Sequence, residues 1–163
     1  MVRLNIGMVG AGVVGGGVYE LLSRERNAFR RMGLEMRITK IAVRDVAKER
    51  DFAIDEATTT VVGDVRSIFE DDSIDLVLEL MGGVGVAKEV VFGAIASGKH
   101  VVTANKALVA SCLVELQTAL AARPSVRFGY EAAVCGGIPL INTLQQAFVG
   151  DDVAEVSGIM NGG

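Results

Sequence analysis

Several residue types are scarce in this chain of 163 residues, and the scarcity excludes some classes of protein. Tryptophan is absent, and there are only two tyrosines and six phenylalanines, so we expect a core of aliphatic side chains. The two cysteines, Cys112 and Cys135, are too few for a disulfide framework and lack the spacing of a metal site. With a single histidine, His100, nothing suggests a cysteine nucleophile activated by a histidine.

An excess of positive charge and long apolar runs are also missing. The net charge is −4 and the basic residues are scattered, which argues against a nucleic-acid partner. No apolar run approaches the ~20 residues of a membrane span. The first residues, 1–4, lack the apolar stretch of a signal peptide and lead into a predicted strand. We therefore expect a cytoplasmic protein without membrane or nucleic-acid partners.

Apolar residues and glycine are abundant, at half of the chain and twenty residues respectively. Short β-branched runs alternate with helical patterns, which is typical of a parallel sheet covered on both faces. The predicted strands are Leu4–Val9, Met36–Val43, Thr58–Val62, Leu76–Leu80, His100–Thr103 and Val126–Tyr130, with a final strand at Val153–Met160. The predicted helices are Val13–Met32, Val65–Phe69, Val86–Ser97, Leu113–Ala122 and Pro139–Val149. This order predicts an α/β doubly wound sheet, a Rossmann fold, with strand order 3-2-1-4-5-6.

A glycine-rich segment lies between the first predicted strand and the first predicted helix. It reads Gly10-Ala11-Gly12-Val13-Val14-Gly15. In such a turn the first glycine permits the tight bend, the second lets a pyrophosphate approach the backbone, and the third allows close helix–strand packing. The free N–H groups of the helix N-terminus would then bind the anion. A plain turn is the alternative, but the flanking strand and helix favour a dinucleotide site.

The end of the second predicted strand bears on which dinucleotide binds. A carboxylate there suits the ribose hydroxyls of NAD, whereas an arginine suits the 2′-phosphate of NADP. The sequence offers both, Arg44 and then Asp45, with Lys48 nearby. Because Arg44 follows the apolar run directly, we favour NADP as the cofactor and keep NAD as the alternative. A solvated loop charge is the other interpretation of Arg44.

Four segments carry a more specific signal than the glycine turn. They are residues 79–83 (ELMGG), 98–108 (GKHVVTANKAL), 130–139 (YEAAVCGGIP) and 157–162 (SGIMNG). Together they resemble the sequences of homoserine dehydrogenases, in the right order and along essentially the whole chain. The resemblance implies an NAD(P)-dependent oxidoreductase that interconverts L-homoserine and L-aspartate 4-semialdehyde, in threonine and methionine biosynthesis.

The resemblance also implies roles for individual residues. It makes Lys106 one of two active-site lysines, and it includes Gly82, Thr103 and Lys106 among the residues that bind the cofactor. A cation at the end of the fifth strand could assist proton transfer on the substrate oxygen. From the residues alone, an ordinary surface lysine in the first turn of a helix is as good an interpretation of Lys106.

A monovalent cation site, usually assigned to sodium, is a further implication of the resemblance. Its ligands would be Glu131 and the backbone carbonyls of Val134, Gly136 and Ile138. Hard cations take oxygen ligands, and a glycine-rich loop can turn its carbonyls inward. Without the resemblance, the simpler interpretation is that Glu131 caps the loop or pairs with a lysine.

The resemblance divides the chain unequally. Residues 1–133 correspond to the dinucleotide-binding domain, and residues 134–163 to a connecting helix and the first strand of a substrate and dimerisation domain. The family continues beyond this point with the second lysine, the substrate carboxylates and the dimer interface, so we expect this chain to be catalytically incomplete. A homodimer is expected of the full-length family enzyme. A free-standing dinucleotide-binding module without activity is the alternative function.

Overall fold

The computed structural model of the chain describes residues 1–158, and its centre is one six-stranded parallel sheet. The spatial order is β3-β2-β1-β4-β5-β6, with every pair of neighbours parallel. The strands are β1 (Val2–Val9), β2 (Leu34–Ala42), β3 (Thr60–Val62), β4 (Leu76–Glu79), β5 (His100–Thr103) and β6 (Phe128–Gly129). The predicted doubly wound fold and its strand order are confirmed.

Helices connect the strands and cover the sheet. They are α1 (Val13–Arg24), α2 (Arg26–Arg31), α3 (Arg66–Phe69), α4 (Gly85–Ala96), α5 (Lys106–Ala121) and α6 (Leu140–Asn142). A 3-10 turn at Glu131–Ala133 precedes α6, and a π turn at Thr143–Ala147 follows it. Among the described residues, no helix has both the length and the apolar character needed to cross a membrane.

The core is divided between two clusters of buried side chains. One joins the strands to α4 and α5, with Val90, Val91 and Leu108 all fully buried. The other includes Ile6 and Ile41. Each buried aliphatic side chain of this size contributes about 1.5–3 kcal/mol relative to exposure. The two clusters hold the strands in register, so the loops at the carboxyl edge of the sheet have fixed starting points.

Four predicted elements differ from the observed ones. The predicted helix Pro139–Val149 is replaced by the three-residue α6 and the π turn at Thr143–Ala147. The predicted helix Val13–Met32 is two helices, because the backbone at Glu25 leaves the helical conformation. The predicted helix Leu113–Ala122 is the second part of a longer α5, whose backbone is non-helical at Cys112. The predicted strand Val153–Met160 does not form over residues 153–158, where no neighbouring strand pairs with it, and its last two residues lie outside the described range.

A group of charged side chains joins the first two strands. The Glu35 carboxylate accepts hydrogen bonds from Arg3, at 3.0 Å, and from Arg37. Hydrogen bonds from Arg37 and then Arg3 lower the pKa of Glu35 from 4.5 to about 2. The ionised Glu35 carboxylate therefore stabilises this edge of the fold at any pH well above its lowered pKa.

Candidate functional site

A cleft of about 920 Å³ opens at the carboxyl edge of the sheet, where β1 lies between β2 and β4. This is the point at which the chain changes direction across the sheet, and doubly wound folds bind their ligands there. The glycine turn, the loop after β2 and the loop after β4 all contribute to its wall. The lining includes Gly10, Ala11, Gly12, Val13, Arg44, Asp45, Lys48, Arg50, Met81 and Gly82.

The glycine turn has the geometry that its sequence predicts. Gly10 has φ +99°, and a Cβ at this position would lie 2.6 Å from the carbonyl oxygen of Leu80. A Cβ on Gly15 would overlap the carbonyl oxygen of Gly10. By contrast, a Cβ on Gly12 would have no protein atom within 4 Å. Two glycines are therefore required by the fold, and Gly12 leaves open space beside the turn.

The N-terminus of α1 adds unpaired donors to this wall. Gly12 is the N-cap, and the first helical hydrogen bond runs from the Gly16 N–H to the Gly12 carbonyl at 2.8 Å. The N–H groups of Val13, Val14 and Gly15 precede this bond and have no partner within the helix. Val13 lines the cleft, whereas Val14 and Gly15 do not. This end of α1 can bind an anion through backbone amides and the helix dipole.

The loop after β2 supplies the charged side of the cleft. Arg44 is exposed, and within residues 1–158 its side chain makes no hydrogen bond or ion pair. The Asp45 carboxylate accepts the Ala47 N–H at 3.0 Å. Arg50 donates to the backbone carbonyls of Asp45, at 2.9 Å, and Lys48, at 2.7 Å. Arg50 thus stabilises the loop by hydrogen bonds to its backbone, whereas Arg44 remains available to a ligand.

Lys106 is the first residue of α5 and is not among the residues that line the cleft. Thr103 ends β5 and is fully buried, and the side chain of Asn105 caps α5 by accepting the Leu108 N–H at 3.1 Å. Asn105 also donates to the carbonyl of Gly83 at 2.6 Å. Through this bond the turn that carries Lys106 is joined to the loop that follows β4. The Lys106 side chain itself is exposed at the first turn of α5.

The segment after β6 contains the predicted cation ligands. Both Glu131 carboxylate oxygens accept backbone N–H groups, from Ile141 at 2.9 Å and Asn142 at 2.7 Å. The Glu131 side chain therefore caps α6, which agrees with the interpretation of this residue as a cap of the loop. Within residues 1–158 no N–H donates to the carbonyls of Val134 and Gly136, whereas the Ile138 carbonyl accepts the Leu140 N–H at 2.8 Å. Two carbonyls of the predicted set are thus available to a cation.

Sequence reasoning missed two side chains that shape this region. Arg50 was not among the predicted residues, because only the folded loop turns it back onto its own backbone. Glu79 was noted only as part of a family segment, yet it is buried beneath the site and bonded to Thr103. A carboxylate at the end of an otherwise apolar strand was the available signal, since unpaired charges are rarely fully buried.

Comparison with known proteins gives consistent matches. A family model described as "Homoserine dehydrogenase, NAD binding domain" matches residues 10–131. The homoserine dehydrogenase of Helicobacter pylori is 38% identical over 161 residues, which are 98% of this chain and 36% of that protein. A homoserine dehydrogenase structure from Thiobacillus denitrificans aligns with a TM-score of 0.81 and 39% identity, over 91% of this chain and 34% of that one.

A more distant structure shares the fold alone. It is a hyperthermophilic archaeal homoserine dehydrogenase in complex with NADPH, with a TM-score of 0.70 and 22% identity. The likeness covers 88% of this chain and 48% of that one. The chain thus spans only part of each protein it matches, 36% of the Helicobacter pylori relative.

Proposed function

This chain belongs to the homoserine dehydrogenase family, and from that premise we propose that it is the cofactor-binding part of an enzyme interconverting L-homoserine and L-aspartate 4-semialdehyde. The observation that carries the proposal is the open glycine turn at the mouth of the cleft, beside the unpaired amides of α1. Gly10 and Gly15 are required by the fold, whereas the open space at Gly12 lets a ligand approach the backbone of the turn.

The pyrophosphate of a dinucleotide fits this wall. The N–H group of Val13, which lines the cleft, would donate to its oxygens, and the N-terminus of α1, including the amides of Val14 and Gly15, would favour its negative charge. Gly10, Ala11 and Gly12 would contact the ligand through the backbone. Gly82, in the loop after β4, also lines the cleft and would contact the dinucleotide there. When bound, the nicotinamide supplies the hydride chemistry of the reaction.

NADP is the cofactor that the charges of the cleft favour. The Arg44 guanidinium has no protein partner within residues 1–158 and could fork onto a 2′-phosphate. Asp45 is the group that would favour NAD, but one of its carboxylate oxygens already accepts the Ala47 N–H.

Lys106 is the catalytic residue of the proposal. Thr103 and Lys106 stand at the carboxyl end of β5, next to the loop after β4, and ligands of this fold approach such strand ends. The Lys106 ammonium would hold a proton at the hydroxyl or carbonyl oxygen of the substrate and orient that oxygen. The rest of the substrate pocket would come from the part of the family enzyme that this chain does not include.

A monovalent cation, with sodium as the candidate, would complete the region after β6. The unpaired carbonyls of Val134 and Gly136 are hard oxygen ligands, as such a cation requires. Ile138 and Glu131 would complete the set with their remaining lone pairs, since each of their oxygens accepts a single N–H. The resemblance supports this site more strongly than the geometry does.

Calorimetry tests the cofactor part of the proposal. The chain should bind NADP and NADPH more tightly than NAD, with heat and thermal stabilisation at millimolar cofactor. Activity is tested by joining the chain to the remaining part of a family enzyme. That chimera should oxidise homoserine, whereas the 163-residue chain alone should show negligible turnover. Cofactor binding without any activity in the chimera would favour the alternative, a dinucleotide-binding module without catalysis.

A further inference from the structure

A fully buried carboxylate lies directly beneath the proposed site. Glu79 ends β4 with no solvent exposure, and within residues 1–158 it forms no ion pair. Its three partners are all hydrogen-bond donors: the Thr103 hydroxyl at 2.5 Å, the Met81 N–H at 3.1 Å and the Asn105 amide at 3.4 Å. Burial raises the pKa of Glu79, and the three donors oppose that rise.

These donors come from two different loops. Met81 belongs to the loop after β4 and lines the cleft. Thr103 is the last residue of β5, and Asn105 lies in the turn after it and immediately precedes Lys106. The Thr103 hydroxyl also accepts the Asn105 N–H at 3.0 Å, so it connects the carboxylate to the backbone of this turn. One carboxylate therefore ties a wall of the cleft to the residue before Lys106.

We propose that Glu79 is a positioning residue of the dehydrogenase site: acting through Thr103 and Asn105, it holds Lys106 at a fixed place relative to the cleft wall at Met81. The inference rests on the proposed function, because it takes Lys106 as the catalytic group. An aliphatic side chain, such as those of Val77 and Leu78 on the same strand, would fill the interior without desolvating a charge. Holding two loops with three directed hydrogen bonds requires the carboxylate.

Removing the Thr103 hydroxyl tests this connection, because the hydroxyl bonds both Glu79 and the backbone of Asn105. Thr103→Val keeps the shape of the side chain but removes both the donor to Glu79 and the acceptor of the Asn105 N–H. Thr103→Ser retains the hydroxyl. Glu79→Gln keeps the size of the side chain but replaces one carboxyl oxygen with an amide NH2, so it cannot accept from Thr103 on one side and from Met81 and Asn105 on the other.

Thr59, the residue before β3, provides a matched control. It is buried, at 4% exposed, and its hydroxyl donates to the Ile38 carbonyl at 2.7 Å and lies 3.2 Å from the Tyr19 hydroxyl. Neither Thr59 nor these two partners line the cleft. Thr59→Val therefore removes an equally buried threonine hydroxyl and should destabilise the fold to a similar degree, without touching the Glu79 connection.

The first measurement is amide hydrogen exchange by NMR on the 163-residue chain without cofactor. In Thr103→Val and Glu79→Gln, exchange at Met81 and Asn105 should become about tenfold faster together, the effect expected from losing one charge-assisted hydrogen bond. Thr103→Ser should stay within about twofold of wild type. The response at Met81 is decisive, because its N–H donates to the Glu79 carboxylate, whereas the second bond between the two loops, from Asn105 to the Gly83 carbonyl, does not involve Met81. Unchanged exchange at Met81 in Thr103→Val, or the same acceleration in Thr59→Val, would overturn the proposal.

The second measurement follows Lys106 itself. The chain has five lysines, so ¹³C-lysine NMR can resolve the Lys106 signal, which is assigned by its loss in Lys106→Arg. Saturating NADP should shift this signal in wild type, Thr103→Ser and Thr59→Val. The shift should fall at least twofold in Thr103→Val and Glu79→Gln, and an undiminished shift in both would overturn the positioning role. Absence of any NADP binding by wild type would refute the proposed function instead, and the exchange measurement would still decide the connection.

Discussion

Replacing single glycines of the turn with alanine should separate the residues required by the fold from the residue required by the cofactor. Gly10→Ala adds left-handed strain at φ +99° and a methyl group 2.6 Å from the Leu80 carbonyl oxygen. Such strain costs about 1–3 kcal/mol, and a clash with backbone costs about as much again. We therefore expect Gly10→Ala to lower the stability by about 2–6 kcal/mol and the Tm by at least about 4 °C.

Gly12→Ala should behave in the opposite way. Its φ of −86° suits any residue, and its Cβ would meet no protein atom. The entropy lost from the unfolded chain favours alanine by about 0.4–1 kcal/mol, and the poorer N-cap offsets this by about 1 kcal/mol. The Tm should thus change little. NADP affinity should fall about 10- to 100-fold, because the methyl group keeps the pyrophosphate from the amides of α1.

Differential scanning fluorimetry without ligand and calorimetry with NADP measure the two effects. Gly85→Ala is the control, since its Cβ also points into open space but lies outside the cleft lining. It should leave both Tm and NADP affinity near the wild-type values. Wild-type NADP affinity in Gly12→Ala would refute the placement of the pyrophosphate on this turn. Wild-type stability in Gly10→Ala would refute the geometry of the turn.

Three further predictions concern charged side chains. Arg44→Ala should weaken NADP binding, measured by calorimetry, about tenfold or more while changing NAD binding little. Equal losses for the two cofactors would show that Arg44 acts on adenine or on folding. If Asp45 faces the ribose, Asp45→Ala should selectively weaken NAD binding. In the chimera, Lys106→Ala should lower kcat about 10²- to 10⁴-fold with NADP affinity nearly unchanged, and a chimera indifferent to Lys106 would contradict its role. Glu35→Gln should have a lower Tm than the wild type, and this difference should be largest above pH 4.5 and should shrink as the pH falls towards about 2. The reason is that only the ionised Glu35 carboxylate stabilises the fold, and its lowered pKa keeps it ionised down to about pH 2. A deficit that does not vary with pH would attribute it to packing instead.

Local sequence patterns were sufficient for the strand order and for the glycine turn. The apolar β-branched runs predicted β1 through β6 because a parallel sheet buried on both faces requires them. The spacing of the glycines predicted which of them the backbone needs, since only glycine avoids the contacts seen at Gly10 and Gly15. The family segments predicted membership because they are long and specific.

Tertiary structure alone decided the features that depend on distant parts of the chain. The strand predicted at Val153–Met160 had the right residues, but over residues 153–158 no neighbouring strand pairs with it, and a strand is stable only when its backbone groups are paired. The capping role of Glu131 depends on amides about ten residues further on. The connection from Glu79 to Thr103 and Asn105 joins residues more than twenty positions apart. Sequence periodicity reports which face of an element is apolar, whereas such hydrogen bonds exist only once the sheet has brought β4 and β5 side by side.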